Sequence, residues 1–165
     1  MIKDYTNKCL LFFLFLFLIS GKGDAQYRAG LGVRGGLLYG FTYKQGLDPA
    51  NYCEAIYGQK FMPIEGGNVM QQVGTLMWEH NTRFRESKFQ STRLSWVWGI
   101  GGHYRWGNDK HAAGVDGTLG LEYQFLSIPF TIGIDGKPFY EFGVLHPVNY
   151  VDLGVTLMFV FEDLN

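Results

Sequence analysis

The segment Val151-Asp-Leu-Gly-Val-Thr-Leu-Met-Phe-Val-Phe161 decides the fold class of this chain. Every second residue from Val151 to Phe161 is large and apolar, whereas the intervening residues begin with Asp152, Gly154 and Thr156. A period of two places alternate side chains on opposite faces of a β-strand. The segment therefore predicts a strand with one apolar face and one face of polar and small residues.

The same alternation recurs along the chain and predicts an all-β fold. It is strong at 27–34, 95–106, 115–125 and 130–135, and weaker, with ambiguous facing, at about 38–47, 52–61 and 69–80. These segments predict an eight-stranded antiparallel up-and-down β-barrel that spans a membrane, because tilted membrane strands need only about 9–11 residues each. The prolines are expected at strand ends or between strands, namely Pro49, Pro63, Pro129, Pro138 and Pro147.

The N-terminus predicts export. Lys3 and Lys8 precede the apolar run 9–19, and Gly23-Asp24-Ala25 supplies small residues for a signal peptidase. We expect residues 1–25 to be a cleaved signal peptide and residues 26–165 to be one barrel domain. The mature domain would hold 11 Lys and Arg residues against 13 Asp and Glu residues. This excess of acidic residues does not suggest a nucleic-acid partner. Cys53 would be its only cysteine, so no internal disulfide is expected.

The composition of the polar face indicates which face points inward. A face in contact with water would be rich in Lys, Glu and Ser, but here it carries many glycines, which are Gly30, Gly32, Gly99, Gly101, Gly120, Gly133 and Gly154. A barrel of eight strands is only just wide enough to be filled by side chains, so this face is expected to line the lumen. Charged groups there must pair. The predicted lumen charge network is Arg28, Arg34, His103, Arg105, Asp116, Glu122, Asp135 and Asp152.

Aromatic residues on the apolar face have a spacing that fits a bilayer. Trp96 and Trp98 precede Tyr104 and Trp106 by about eight residues on one predicted strand, which is about 27 Å along the strand. After tilting, the vertical separation is about 21 Å, close to that of the aromatic girdles of membrane barrels. We therefore predict that these four residues form an aromatic girdle.

Three stretches resemble small outer-membrane β-barrel proteins of the Bacteroidota, and the likeness spans nearly the whole mature chain. They are Gly30-Leu-Gly-Val-Arg-Gly-Gly36, Trp98-Gly-Ile-Gly-Gly-His-Tyr-Arg-Trp-Gly107 and 120–138. The pattern Asp152-x-Gly154-x-x-Leu157-x-Phe159 also resembles the C-terminal recognition signal of outer-membrane barrels. The resemblance implies the barrel fold and the outer membrane, and it brings no catalytic residues. Outer-membrane lipids, the barrel assembly machinery and other envelope proteins are the partners expected with this location.

The sequence favours a non-enzymatic barrel with a closed, charge-paired lumen and a structural or accessory role in the envelope. One alternative is an enzyme that modifies lipid A or phospholipids, with His103, His111 and His146 as candidates. Another is a soluble secreted ligand-binding barrel. Outer loops are expected at 108–114 and 140–148, because connections after odd-numbered strands are extracellular when the N-terminus is periplasmic. No catalytic residue, metal site or cofactor is assigned.

Overall fold

The computed structural model describes residues 28–64, 67–84, 93–107, 110–125, 127–142 and 150–161. Eight β-strands in chain order form one closed barrel, and each strand is antiparallel to both of its neighbours. The strands are β1 Ala29–Gly36, β2 Leu38–Gly46, β3 Asn51–Ile64, β4 Gly67–Arg83, β5 Arg93–Gly107, β6 Lys110–Gln124, β7 Phe130–Phe142 and β8 Tyr150–Phe161. The predicted all-β, eight-stranded, antiparallel fold is thus confirmed. The described residues include no helix that is long and apolar enough to cross a membrane.

The register of the strands sets the tilt of the barrel. The path of paired residues once around the barrel starts at Leu94 and ends at Tyr104 on the same strand, ten residues further along. Its intermediate residues are Tyr123, Ile132, Leu157, Val33, Phe41, Tyr57 and Gly74. With ordinary strand spacings, a shear of ten in eight strands corresponds to a tilt of about 40°. A barrel of this size has a lumen that side chains can fill.

The three weak segments are β2, β3 and β4, and the structure resolves their facing. Their lumen-facing residues mix charged and apolar types, such as Lys44 with Leu38, Glu54 with Ile56, and Glu79 with Val73. Because neither face is purely apolar or purely polar, the hydropathy contrast of these strands is weak. The ambiguity in the sequence therefore reflects the lining of this part of the lumen.

One of the prolines lies inside a strand, contrary to the prediction. Pro138 lies in the interior of β7, whereas Pro63 lies at the end of β3 as predicted. The pairing of β6 with β7 is interrupted there, between Asp116↔Phe139 and Leu119↔Gly136. Since a proline has no N–H to donate, this gap in the ladder allows the strand to continue. Pro49 and Pro129 lie between strands as predicted, and Pro147 is outside the described residues.

Consecutive strands are connected alternately at the two ends of the barrel. We call the end with Ala29 and Phe161 the lower end and the opposite end the upper end. Upper connections comprise residue 37 and residues 65–66, 108–109 and 143–149, whereas lower connections comprise residues 47–50, 84–92 and 125–129.

The predicted outer loops are therefore partly wrong. Residues 110–114 belong to β6 and residues 140–142 belong to β7. Small residues in the first of these segments, Ala112, Ala113 and Gly114, hid the alternation of the strand.

The two faces of the barrel differ in polarity. Large apolar side chains are exposed on the outside, including Phe41 at 66 %, Leu153 at 65 % and Ile134 at 63 %. Charged side chains are buried inside, including Lys44 and Glu79 at 2 % each. Among the strand side chains that the structure describes, no Asp, Glu, Lys or Arg occupies an outward position of the alternation. The arrangement is the reverse of that in a water-soluble barrel.

Candidate functional site

The lower half of the lumen holds two lysines that each contact more than one carboxylate. The Lys44 ammonium lies 2.9 Å from a Glu79 oxygen and 2.8 Å from a Glu122 oxygen. The Lys137 ammonium lies 3.0 Å from Glu54 and 3.5 Å from Glu79. We call these five residues the lower cluster. The five residues lie on five strands, β2, β3, β4, β6 and β7, so the ion pairs of this cluster cross the lumen rather than follow one strand pair.

Arg34 connects the lower cluster to the opposite wall. Its Nη1 lies 2.5 Å from Asp135 and its Nη2 lies 3.6 Å from Asp152, and its side chain is fully buried. Asp135 is in turn 3.8 Å from Lys137. The guanidinium occupies space opposite Gly154, because a Cβ at that position would contact the guanidinium atoms of Arg34. The glycine therefore makes room for the arginine.

The upper half of the lumen holds a second group, the upper cluster, of His103, Arg105, Asp116 and Glu141. His103 Nδ1 lies 2.8 Å from Asp116 Oδ1, and His103 Nε2 lies 3.4 Å from Glu141 Oε1. Arg105 donates from Nε and Nη2 to the two oxygens of Glu141, at 2.9 and 2.6 Å, and from Nη1 to Gln71. A bidentate arginine–carboxylate pair fixes the geometry of both partners.

Lys60 packs closely against an aromatic ring in the lumen. Its ammonium lies 3.5 Å from the centroid of the Phe139 ring, and its side chain is buried. A cation over an aromatic face is held by the negative potential of the ring. Phe139 also contacts His103 edge to face, with the ring centroids 5.5 Å apart. Phe139 thus links Lys60 to the upper cluster across the lumen.

Apolar side chains and small cavities complete the filling of the lumen. Tyr52, Met158 and Val160 pack together near the lower end, and Leu38, Ile56 and Val73 pack together in the upper half. One cavity of about 20 Å³ lies beside the upper cluster and another of about 30 Å³ lies beside the lower cluster. Each has room for about one water molecule. Along the part of the lumen that these groups occupy, the interior is packed rather than open.

Seven of the eight residues predicted for the lumen charge network face the lumen. Arg28 is different, because it lies in the bend before β1 with an exposed side chain. Its backbone carbonyl accepts hydrogen bonds from Gln45 Nε2 and from the Gly46 N–H, at 2.9 Å each. The position lies just outside the ladder at the lower rim, where the chain enters the barrel.

Sequence reasoning missed half of the lumen charges. The missed residues are Lys44, Glu54, Lys60, Glu79, Lys137 and Glu141. The first four lie on the weak strands β2, β3 and β4, and the last two lie beyond the point where β7 was expected to end. Glu54 and Lys60 share one face of β3, and Lys137 and Glu141 share one face of β7 with Asp135, so a period of two in charge was a signal on these two strands.

The predicted aromatic girdle residues lie on the outer face of β5. Trp98 contacts Trp78 edge to face at 5.6 Å, and Tyr104 stacks on Trp106 at 5.8 Å. Aromatic residues on other strands lie at similar levels. The lower belt comprises Trp78, Trp96, Trp98, Tyr123, Phe130 and Phe159, and the upper belt comprises Tyr57, Tyr104, Trp106, Tyr140 and Phe142. The strand tilt places Trp98 and Trp106 about 20 Å apart along the barrel axis.

The candidate histidines occupy three different settings. His103 is in the upper cluster with a carboxylate on each ring nitrogen. His111 is not in a loop, since it lies on the outer face of β6 with Nδ1 3.1 Å from the Tyr104 hydroxyl. His146 lies outside the described residues. Within the ranges that the structure describes, no group of three or more His, Cys, Asp or Glu residues is arranged to hold a metal ion.

Comparison with known proteins gave no match: no family model fits this chain, and no curated protein or solved structure is significantly similar to it.

Proposed function

We propose that this chain is an outer-membrane β-barrel with a closed, charge-paired lumen and a structural or accessory role in the envelope. The observation that carries the proposal is the distribution of charge. Five cations and seven carboxylates face the lumen, and the described outward positions carry none. An unpaired charge facing hydrocarbon is costly, whereas paired charges in a lumen are tolerated. A barrel with this distribution suits a bilayer better than water.

The dimensions of the outer face support the same proposal. The lower and upper belts are separated by about 20 Å, near the height of the apolar band in outer-membrane barrels, about 25 Å. Aliphatic side chains lie between the belts, as at Leu76, Ile100 and Leu119. Trp and Tyr favour the membrane–water boundary because their rings are amphipathic. Outer-membrane lipids are therefore the partners that this surface fits best.

The filled lumen favours a structural role over transport. Ion pairs cross the lower half, and Phe139 with Lys60 occupies the upper half. The cavities beside the two clusters are of single-water size, which leaves no route for a solute through the groups that surround them. Insertion by the barrel assembly machinery and contacts with other envelope proteins complete the proposed role.

A substitution on the outer face tests the membrane assignment. Leu76 is 51 % exposed and lies midway between the belts, so Leu76→Arg would be nearly neutral for a barrel in water. Near the middle of a bilayer the same arginine is expected to cost about 2–4 kcal/mol. We expect Leu76→Arg to lose heat-modifiable gel migration and outer-membrane recovery, while Leu76→Ile keeps both. Recovery of wild type and Leu76→Arg alike in the soluble periplasmic fraction would overturn the proposal and favour a secreted ligand-binding barrel.

The enzyme alternative rests on the pair His103–Asp116. A carboxylate that orients an imidazole is a feature of several acid–base sites. Here, however, the second ring nitrogen also faces a carboxylate, Glu141, so the imidazole is held from both sides. Lipid A mass spectra from deletion and complemented strains test this alternative. An acyl change that wild type restores and His103→Ala does not would favour the enzyme over the structural barrel.

A further inference from the structure

A groove interrupts the outer face of the barrel across β5 to β8. Its volume is about 460 Å³. The side chains and glycine that line it from the outside are Ile100, Val115, Gly117, Pro138, Tyr140 and Val151. Apart from the Tyr140 hydroxyl, these lining groups are apolar. The groove therefore differs from the rest of the outer face in shape and not in polarity.

The gap in the β6–β7 ladder produces the groove. Gly117 and Pro138 face each other where the pairing is interrupted, and Gly117 contributes no side chain to the outer face. Asp116 and Phe139, the neighbours of these two residues, border both the groove and the upper lumen cavity. The barrel wall at this point is thus little more than backbone.

We propose that this groove binds an acyl chain of lipid A, an inference that rests on the proposed outer-membrane location. The groove is continuous with the uncharged surface between the two aromatic belts. It reaches Tyr140 in the upper belt, so it opens to the upper leaflet. If the lower end with its termini is periplasmic, as an exported barrel requires, the upper leaflet is the outer one. Lipid A supplies the acyl chains of that leaflet.

The side chains near the groove suit a phosphorylated lipid. His111 lies on the outer face of β6, six residues above Gly117, and its ring is held by Tyr104. Among the described outward positions of β5 to β8, His111 is the only basic side chain, and none is acidic. A phosphate at the upper belt would therefore meet no carboxylate at these described positions. The apolar groove below His111 would receive the chain attached to that head group.

Two glycine substitutions provide a matched pair for the test. A Cβ at Gly117 would meet Pro138 Cγ at 3.4 Å, and a Cβ at Gly35 on the outer face of β1 would meet nothing within 4 Å. A Cβ is therefore accommodated at both positions. Gly117→Leu would fill the groove, whereas Gly35→Leu would add the same side chain to the outer face far from it.

The experiment uses the full mature barrel in phosphatidylethanolamine vesicles that contain lipid A with a diazirine on one acyl chain. After irradiation, peptide mapping measures labelling of Val115 and Val151 in the groove and of Val33 on β1. We expect the groove to be labelled in preference to Val33. Gly117→Leu should reduce groove labelling about fivefold, the scale of a few lost van der Waals contacts, and Gly35→Leu should leave it unchanged.

Equal labelling of the groove and Val33 would overturn the inference. So would equal preferential labelling of the groove by phosphatidylethanolamine that carries the diazirine in place of lipid A, because a phospholipid chain would then fill the groove as well. Heat-modifiable migration of the same samples reports membrane insertion independently. If the barrel is inserted but the groove and Val33 are labelled equally, only the lipid site is refuted. If the barrel does not insert, the proposed function is refuted.

Discussion

Replacement of Arg34 by alanine is the most direct test of the lumen charge network. The guanidinium is fully buried and lies 2.5 Å from Asp135 and 3.6 Å from Asp152. Arg34→Ala would leave these two carboxylates without their main cation. Unlike a surface pair, neither carboxylate could regain full hydration without distorting the barrel.

The expected cost follows from these contacts. Removing one partner of a buried ion pair costs about 3–5 kcal/mol. Asp135 is 15 % exposed and lies 3.8 Å from Lys137. Water and this second cation therefore compensate in part for the loss of the Arg34 guanidinium. Asp152 also accepts a hydrogen bond from the Leu38 N–H at 3.2 Å. We therefore expect a loss near the lower limit of that range, about 3 kcal/mol in the free energy of unfolding.

The measurement is equilibrium unfolding by urea in phospholipid vesicles, followed by tryptophan fluorescence. Val33→Ala is the matched control, because Val33 neighbours Arg34 but faces outward and is 51 % exposed. Its cost should stay within about 1 kcal/mol. A second variant, Arg34→Met with Asp135→Asn and Asp152→Asn, removes the charges together and should recover most of the stability.

Two results would refute the reasoning. A loss below about 0.5 kcal/mol for Arg34→Ala would mean that Arg34 and its carboxylates are hydrated, as in an exposed pair. A triple variant no more stable than Arg34→Ala would mean that the cost does not arise from unpaired carboxylates.

Two further predictions concern a glycine and a turn. Gly154→Ala should cost about 1–3 kcal/mol because its Cβ would displace the Arg34 guanidinium, and the cost should fall in the Arg34→Ala background. Equal costs in the two backgrounds of this double-mutant cycle would contradict the contact. In the β2–β3 connection, the Asn51 side-chain amide and a backbone N–H donate to Asp48 and lower its pKa. Its stabilising effect should be present above the ordinary aspartate pKa and lost as pH falls through the lowered value. A carbon NMR titration should show a lower midpoint for Asp48 in wild type than in Asn51→Ala, and identical midpoints would exclude the Asn51 side-chain bond as a cause.

The strands that could be predicted are those whose two faces differ most. In β8 the outward residues are uniformly apolar, and in β5 glycines alternate with aromatic residues, so both strands were evident from the sequence. The upper end of β6 was not evident from the sequence, because Ala112, Ala113 and Gly114 place small residues on both faces of the strand. The interior Pro138 was also unexpected. Only the three-dimensional pairing shows that the ladder is open at that residue.

The ion pairs within the lumen could not be predicted from the sequence, although several of the residues that form them could be assigned to the lumen. Arg34 was identified as a lumen residue, yet its contacts with Asp135 and Asp152 depend on the shear of the barrel, which joins residues about 100 or more positions apart. Lys44 and Glu79 escaped because apolar residues share their faces in β2 and β4. A period-two pattern gives the face of a residue. It contains no information on which strand lies across the lumen.

The segregation of charged residues to the lumen also bears on how this sequence can change over evolutionary time. In the proposed bilayer, one outward aliphatic residue could replace another with little consequence, because fluid hydrocarbon adapts to the shape of the side chain. Inside, Glu79 is shared by Lys44 and Lys137, so a change at any one of the three alters the charge balance of the others. Lumen positions should therefore evolve in correlated groups, while outward positions drift independently among apolar residues. The slowly changing positions of such a barrel would be its polar ones, the opposite of the pattern in a water-soluble core.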